Sequence, residues 1–228
     1  MNKSELISLE VEETADGSPT LYLPNIDEHY HSVYGARTES QHVFVEHGLL
    51  RYLAEEPSSE LTVLEVGFGT GLNALLTLLA CPKGSTITYH TYELYPLSKA
   101  MVSSLFEQKL SADEWTVMQR LHDAPWGEPY QIQEGFFLHK HHQDICTAVL
   151  PAAEVLYMDA FAPEKTPELW SDEMIQKLAT ATVCRGRLST YCAKGVVRRS
   201  LEEKGFRVER VQGPPGGKRE ILTCKKTR

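Results

Sequence analysis

The 228-residue sequence lacks any apolar run near the roughly 18 residues that a membrane span requires. Its first ten residues are polar and acidic, with no apolar core of a signal peptide. The five cysteines are scattered and form no C-x-x-C pair, which argues against a disulfide framework and against a paired zinc site. Internal repeats and Gly/Ser-rich or Pro-rich linkers are also missing. These absences predict a cytoplasmic globular protein that does not associate with membranes.

Charge is unevenly distributed, although the net value is −8. Residues 185–228 contain 13 Lys and Arg against 4 Asp and Glu, whereas residues 1–184 contain 10 against 27. A basic segment on an acidic body indicates either a surface for a polyanion or basic side chains scattered over a solvated surface. The sequence alone leaves both interpretations open.

Strand and helix patterns alternate after residue 60. Apolar runs predict strands at 61–66, 86–93, 135–141, 154–159 and 186–192. Helices are predicted between them at 72–80, 97–110, 167–183 and 196–204. The last two strands, 206–212 and 219–224, flank a turn too short for a parallel crossover and must form an antiparallel hairpin. We therefore expect an α/β fold of the Rossmann-like class I methyltransferase type, with a mostly parallel seven-stranded sheet and a terminal antiparallel hairpin.

The segment before residue 60 does not follow this alternation. Residues 5–23 predict two short strands around the turn at 16–19, and apolar spacing predicts a helix over 40–55. We expect two units: a small β/α appendage of residues 1–58, built from a β-hairpin and a helix, packed on a methyltransferase domain of residues 59–228.

A glycine-rich loop, LEVGFGTGLN at 64–73, lies between a predicted strand and a predicted helix. Three glycines permit a tight turn and a close approach by a ligand. A dinucleotide fingerprint requires Gly or Ala where Leu72 stands, which disfavours an NAD(P)-type oxidoreductase. S-adenosylmethionine (SAM) is the expected ligand, with a purely structural loop as the alternative.

Acidic residues at strand ends complete the predicted cofactor site. Glu65 would accept from the SAM ammonium group directly or through water, Glu93 from both ribose hydroxyls, and Asp144 from the adenine amine. The full set of predicted SAM contacts is Glu65, Gly67, Phe68, Gly69, Thr70, Gly71, Asn73, Glu93, Leu94 and Asp144.

A second acidic strand end lies at Asp159. In open α/β sheets, ligands bind at the carboxyl ends of the strands, so Asp159 is expected to face the same crevice as the glycine loop. Phe161 and Pro163 would form a wall of this pocket. The alternative is a helix-capping turn with a solvated aspartate.

Several longer stretches resemble the methyltransferase component of the MnmC family. They are VGFGTGLN at 66–73, YELYPL at 92–97, MDAFAPEKTPELW at 158–170, TYCAKGVVRRSL at 190–201 and GKREIL at 217–222. A fainter match covers Tyr30–Ser32, Gly35, Glu39 and 43–44. The resemblance spans roughly residues 22–224. Ala160 and Ser40 depart from the residues usual in the family.

This resemblance implies methyl transfer from SAM to the 5-aminomethyl group of wobble uridine, with or without a 2-thio group, in the anticodon loop of tRNA. It assigns Asp159 as the acid beside the substrate amine. No FAD-dependent oxidase half follows residue 228, so we expect no FAD. We also expect no metal, because methyl transfer to an amine needs none. A separate enzyme would then make the 5-aminomethyluridine.

Substrate contacts are expected from aromatic and basic residues, because RNA bases are splayed out and stacked by proteins and phosphates attract cations. The predicted stacking or pocket residues are Tyr30, Phe161 and Trp170, with core packing as the alternative for Trp170. The predicted phosphate contacts are Lys194, Arg198, Arg199, Lys218 and Arg219.

Two other functions stay open: N-methylation of a small-molecule amine, and a non-catalytic SAM-fold module that partners a separate oxidase. A set of four histidines, His122, His139, His141 and His142, lies near Asp144 in the sequence and has the composition of a metal site. Methyl transfer to an amine needs no metal, so we expect an irregular, solvated strand end there.

Overall fold

The computed structural model describes residues 9–227. Its strands are β1 (Glu10–Glu13), β2 (Pro19–Leu23), β3 (Glu28–His29), β4 (Glu60–Val66), β5 (Thr86–Tyr92), β6 (Pro129–Gln133), β7 (Phe136–His141), β8 (Ala153–Met158), β9 (Thr182–Thr190), β10 (Phe206–Gln212) and β11 (Glu220–Lys226). Its α-helices are α1 (Ala36–Ser40), α2 (Arg51–Glu55), α3 (Leu72–Ala80), α4 (Lys99–Phe106), α5 (Ala112–Asp123), α6 (Asp172–Ala181) and α7 (Gly195–Glu203). A π-helical segment covers Gln41–Leu50, and a 3₁₀ turn covers Pro167–Trp170.

The main sheet contains eight strands in the order β10-β11-β9-β8-β4-β5-β7-β6. Strands β9, β8, β4, β5 and β7 are parallel, whereas β11 runs antiparallel to both β9 and β10. The Rossmann-like α/β class and the terminal antiparallel hairpin are therefore confirmed.

The predicted number of seven strands in that sheet is wrong. The eighth strand, β6, pairs antiparallel with β7 at one edge. Gly135 makes the connection at φ +75°, and a Cβ there would collide with the Ser85 carbonyl oxygen. Four of the five β6 side chains are exposed, so this strand has little apolar pattern of its own.

Helix α5 was not predicted, although its sequence carries a start signal. Ser111 accepts from the Glu114 backbone N–H, and the Glu114 carboxylate accepts from the Ser111 backbone N–H, which is a complete capping box. Met118 and Leu121 are buried against the sheet side of this helix. The signal S-x-x-E was therefore present in the sequence.

The N-terminal segment forms a three-stranded antiparallel sheet followed by a helix. Residues 5–8 of the predicted first strand lie outside the described part of the chain. Segments 36–40, 41–50 and 51–55 follow one another with helical backbone at each junction, so they form one helix that begins earlier than predicted.

This N-terminal helix covers one face of the main sheet. Its residues Val43, Phe44 and Leu49 are buried in the core that also holds Val63 and Val155. The opposite sheet face packs against α6 and α7, because successive strand residues point to opposite faces. No helix within residues 9–227 is long and apolar enough to cross a membrane.

The end of the N-terminal helix is tied to the last strands of the sheet. Glu55 accepts from the fully buried guanidinium of Arg187 and from Lys225, 2.9 Å away. Thr223 donates to the His47 carbonyl oxygen at 2.9 Å. Polar contacts thus join segments more than a hundred residues apart in the sequence.

Gly48 allows the N-terminal helix to approach the sheet closely. A Cβ at this position would lie 2.9 Å from both the Ser189 hydroxyl oxygen and a Tyr157 ring carbon. Both of those residues belong to buried strands, so neither side chain has free space to move into. The close approach therefore depends on the missing side chain.

We expect Gly48→Ala to lower the free energy of unfolding by about 1–3 kcal/mol, the usual cost of overpacking. Helix propensity alone would raise the free energy of unfolding by about 1 kcal/mol, so the sign of the change shows whether packing or propensity dominates. Urea unfolding measures the change. Gly195→Ala is the control, because its Cβ meets only the end of the flexible Arg199 side chain. A Gly48→Ala protein as stable as the parent would contradict the packing argument.

Candidate functional site

A cavity of about 520 Å³ lies at the carboxyl ends of the parallel strands. The loop after β4 forms its floor, and residues that follow β5 and β8 form two of its sides. Residues 28–34 and the turn of the β10–β11 hairpin close it from the other sides. This is where open α/β sheets bind ligands, as the sequence analysis expected.

The glycine loop adopts a conformation that requires glycine. Gly67, Gly69 and Gly71 have φ values of +84°, +51° and +77°. Gly71 also forms the N-terminal cap of α3, and a Cβ there would lie 3.0 Å from the His122 ring. Any other residue would be strained at these positions. The Gly67 N–H donates to the Tyr92 carbonyl oxygen at 3.0 Å and the Gly71 N–H to the Phe68 carbonyl oxygen at 2.9 Å, which hold the turn.

Glu93 organises the loop from the end of β5. Its Oε2 accepts from the backbone N–H groups of Phe68, at 3.2 Å, and Gly69, at 3.0 Å. Its Oε1 accepts from the Tyr95 N–H at 2.7 Å. A carboxylate offers about four lone-pair sites, so Glu93 keeps acceptor capacity for a donor in the cavity.

Aromatic rings support the loop on both sides. The buried Phe68 ring packs on the His122 ring, with the ring centres 5.0 Å apart, and the Nζ of Lys140 lies over it. On the cavity side, the Tyr30 ring lies against Gly69 and meets Phe161 edge-on at 5.3 Å. The Tyr30 ring therefore lies between the glycine loop and Phe161 in the lining of the cavity.

Asp159 follows β8 and lines the cavity. The Asn73 amide donates to its Oδ2 at 2.7 Å, which joins it to the first turn of α3. Burial and the negative charge of Glu39 raise the pKa of Asp159 to about 7, against the opposing effects of the Asn73 hydrogen bond and Lys218. The carboxyl group therefore exchanges a proton near neutral pH.

Two residues that the sequence analysis did not assign to the site also line this part of the cavity. Glu39, from α1, is buried and accepts from the Ser32 N–H at 2.8 Å; burial raises its pKa. Tyr191, directly after β9, donates to the Ala160 carbonyl oxygen at 2.7 Å, and the Nζ of Lys218 lies 3.5 Å from its ring centre.

Different signals could have found these two residues. Tyr191 stands at the carboxyl end of a predicted strand, so the rule that located Asp159 applies to it as well. Glu39 belongs to the faint N-terminal match with the MnmC family, but its approach to Asp159 depends on how the N-terminal helix packs. No spacing in the sequence predicts that contact.

Glu65 lies beneath the cavity, outside the residues that line it. Burial and the negative charge of Asp159 raise its pKa well above the ordinary value. Among the described residues, its Oε2 has no hydrogen-bond partner, and neither has Asn73 Oδ1 or the hydroxyl groups of Tyr89 and Thr91. Asn73, Tyr89 and Thr91 surround the Glu65 carboxyl group, so these polar atoms form one buried cluster beneath the glycine loop.

The cavity is strongly acidic. The carboxylates that line it are Glu28, Glu39, Glu93, Asp144, Asp159 and Glu168, whereas Lys218 is the sole Lys or Arg among the described lining residues. Such a field favours a cationic ligand and repels a pyrophosphate. SAM carries a sulfonium and an ammonium group, so this set of carboxylate acceptors fits SAM and disfavours a dinucleotide.

The structure brings together most of the predicted site. The predicted residues that line the cavity are Tyr30, Gly67, Phe68, Gly69, Thr70, Asn73, Glu93, Leu94, Asp144, Asp159, Phe161 and Lys218. The predicted residues outside its lining are Glu65, Gly71, Pro163, Trp170, Lys194, Arg198, Arg199 and Arg219.

Trp170 is placed in the core rather than in the pocket. Its indole is buried in the apolar cluster beneath the site, and its Nε1 donates to the Phe161 carbonyl oxygen at 2.7 Å. The core alternative therefore describes this side chain, and the expectation of a stacking surface is corrected. Trp170 instead holds the loop that carries Phe161.

The basic C-terminal segment does not form a uniform basic face. Seven of its twelve described Lys and Arg side chains pair with carboxylates. Lys194 pairs with Glu164 and Arg198 with Glu202, so two predicted phosphate contacts are already neutralised. Within residues 9–227, Arg199 and Arg219 have no carboxylate within 4.0 Å.

Comparisons with known proteins agree with this geometry. A family model described as S-adenosyl-L-methionine-dependent methyltransferase matches residues 131–227. The tRNA 5-methylaminomethyl-2-thiouridine biosynthesis bifunctional protein MnmC of Magnetococcus marinus is 31% identical over 221 residues, which cover 89% of this chain and 32% of that protein. The protein of the same name from Pseudomonas syringae pv. tomato is 31% identical over 85% of this chain and 31% of its own length.

The comparison with solved structures also finds a protein with an MnmC-type name. MNMC2 of Aquifex aeolicus superposes with a TM-score of 0.77 at 25% sequence identity, covering 97% of this chain and 71% of that one. The chain spans about a third of the length of the curated relatives that it matches. This chain has the Rossmann-like fold of SAM-dependent methyltransferases, and its sequence is similar to about a third of each MnmC protein.

Proposed function

We propose that this protein transfers a methyl group from SAM to the amine of 5-aminomethyluridine, with or without a 2-thio group, at the wobble position of tRNA. The observation that carries the proposal is Asp159, a carboxyl group with a pKa of about 7 in an acidic cavity beside a SAM-type glycine loop. Relatives named for the biosynthesis of 5-methylaminomethyl-2-thiouridine supply the substrate class.

The cofactor would be held by the loop and by the strand ends around it. Backbone groups of 67–70 border its place, Glu93 offers an acceptor to a ribose hydroxyl, and Asp144 stands beside the buried Ile145 where an adenine would be received. When bound, SAM supplies an electrophilic methyl group on a positively charged sulfur. Glu65 would act through water, because it does not reach the cavity.

Asp159 would hold the substrate amine. As a carboxylate it accepts a hydrogen bond from the amine and stabilises the positive charge that develops on nitrogen. Asn73 fixes the orientation of the carboxylate through the 2.7 Å hydrogen bond. Glu39 adds negative charge behind it, and Lys218 limits how far the pKa of Asp159 rises.

The anticodon loop would approach from the open side of the cavity. Tyr34 and Tyr95 line the cavity with 57% and 63% of their surface exposed, so they are available to stack on splayed bases. Lys218, Arg199 and Arg219 are the predicted phosphate contacts that remain without a carboxylate partner among the described residues.

A small-molecule amine is the second candidate substrate. The observation in its favour is the neutralisation of most of the basic C-terminal segment by carboxylates. The cavity volume of about 520 Å³ is also sufficient for a small substrate.

Labelled SAM tests both candidates on tRNA bearing 5-aminomethyluridine, on tRNA bearing 5-carboxymethylaminomethyluridine, and on the free 5-aminomethyluridine nucleoside. Nucleoside mass spectrometry reads the product. A gain of one methyl group at the wobble position of the first tRNA alone supports the proposal. Efficient transfer to the free nucleoside indicates a small-molecule enzyme, and intact SAM binding without transfer to any substrate indicates a non-catalytic module.

Asp159→Asn keeps the shape of the side chain and its contact with Asn73 but removes the charge. We expect kcat with the tRNA substrate to fall by roughly 10²-fold or more, as when one electrostatic stabiliser is lost. SAM affinity should change little. Glu173→Gln, which removes an exposed carboxylate from α6, is the matched control. An unchanged kcat in Asp159→Asn would remove Asp159 from this role.

The same substitution should stabilise the protein in a pH-dependent manner. Folding raises the pKa of Asp159 from 3.8 to about 7, so the folded state binds more protons between these values and loses stability as pH rises through them. The advantage of Asp159→Asn over the parent should therefore grow by about 2 kcal/mol from pH 5.5 to 8. Urea unfolding at both pH values measures it; a constant difference would contradict the raised pKa.

Arg199→Gln and Arg219→Gln should each weaken tRNA binding several-fold. Each should also reduce by about 1 the slope of log KM for tRNA against log salt concentration, since one phosphate contact is lost. Arg207→Gln serves as the control, because that guanidinium already pairs with Glu209 at 3.2 Å. Equal slopes for all three variants and the parent would argue against these contacts.

A further inference from the structure

Three histidines lie close together on one face of the main sheet. This face is opposite the one that packs against the N-terminal helix. His90 lies on β5, and His139 and His141 lie on β7. One ring nitrogen of each lies within 4.8 Å of the others. The Nδ1 of His90 and the Nε2 of His141 are 3.1 Å apart, and the ring centres of His139 and His141 are 3.9 Å apart.

Strand geometry explains the convergence. The parallel register places His90 beside His139, and His141 follows two residues later on the same face. Tyr89 and Leu138, which directly precede His90 and His139, point into the core on the opposite face. All three histidines are half-buried, so the ring nitrogens are held in place and still reachable from solvent.

We propose that His90, His139 and His141 form a binding site for a divalent transition metal ion of the Zn²⁺ type. Imidazole nitrogens are preferred ligands of Zn²⁺, and three histidines with an open fourth position are a known ligand set for it. Zn–N bonds of about 2.0–2.1 Å place tetrahedral ligand atoms about 3.4 Å apart. The 3.1 Å separation between His90 and His141 is close to that value.

The surroundings of the cluster hold one of its rings in place. Tyr92 stacks on His141 at 4.3 Å and fixes the orientation of that ring.

This site differs from the histidine set noted in the sequence. His122 lies within 2.9 Å of the Thr70 carbonyl oxygen and His142 within 3.2 Å of the Leu94 carbonyl oxygen, so both serve loop contacts elsewhere. His90, which the sequence analysis did not consider, takes their place. The three histidines do not line the cavity, so the proposed metal site is separate from the residues that would contact SAM.

Bound metal would join two strands that end at the cofactor site. The Glu93 N–H donates to the His141 carbonyl oxygen at 2.9 Å, so the backbone of one metal ligand supports the acid that organises the glycine loop. The role expected of the metal is therefore to hold the carboxyl ends of β5 and β7 in register.

Zn²⁺ titration of the full chain, produced without a polyhistidine tag and treated with a chelator, tests the proposal. Isothermal calorimetry should give one bound Zn²⁺ per chain. His139→Asn and His141→Asn should each weaken that binding by more than the roughly tenfold cost of losing an outer-shell partner. His142→Asn, a neighbouring histidine outside the cluster, should bind as the parent does. Equal affinity in all four proteins would overturn the proposal.

A second measurement does not depend on the folding of variants. Crystals of the parent chain soaked in Zn²⁺ should give an anomalous peak between the three rings. A Zn²⁺ concentration about 100-fold above Kd should also raise the melting temperature by about 5 °C or more. A peak at other residues alone, or no binding at micromolar Zn²⁺, would overturn the proposal. His90 and His141 would then form only a hydrogen-bonded pair.

Discussion

The site depends on the parallel pairing of β4 with β5 on one side and with β8 on the other. Parallel strands end at the same sheet edge, so the glycine loop after β4, Glu93 after β5 and Asp159 after β8 meet there without further adjustment. Helix α3 then begins at Gly71 and returns Asn73 to hold Asp159. The contacts that define the cavity follow from strand order and from the left-handed glycines.

The ionised form of the carboxyl groups in the cavity is less stable than it would be on the protein surface. Glu39, Glu65 and Asp159 lie close enough to raise one another's pKa or that of a neighbour, and Lys218 offsets only part of the repulsion. The fold therefore holds negative charge at a free-energy cost that a cationic ligand would relieve. Sites arranged for function commonly contain such unfavourable groups, and this one suits sulfonium and amine chemistry.

Features that depend on strand ends were predictable from the sequence, because strand direction and loop chemistry are local. Gly67, Glu93 and Asp159 were found in this way. Trp170 was ambiguous, since aromatic residues serve cores and binding surfaces alike and only tertiary packing decides. Strand β6 has little apolar pattern of its own, so only its pairing with β7 reveals it. The pairing of Arg187 with Glu55 joins residues 132 positions apart. Contacts of that kind also determine the position of Glu39 beside Asp159 and the ion pairs of the basic C-terminal segment.

The contacts between the N-terminal helix and the last strand also constrain how the chain is made. The His47 carbonyl oxygen and the Glu55 carboxylate accept hydrogen bonds from Thr223, Arg187 and Lys225, which a ribosome synthesises more than a hundred residues later. Loop closure over such a distance is slow and follows rather than leads collapse. During translation the helix therefore has only an incomplete sheet to pack against until strands β9 and β11 have been synthesised. Until then the apolar face of the helix is exposed and open to intermolecular association.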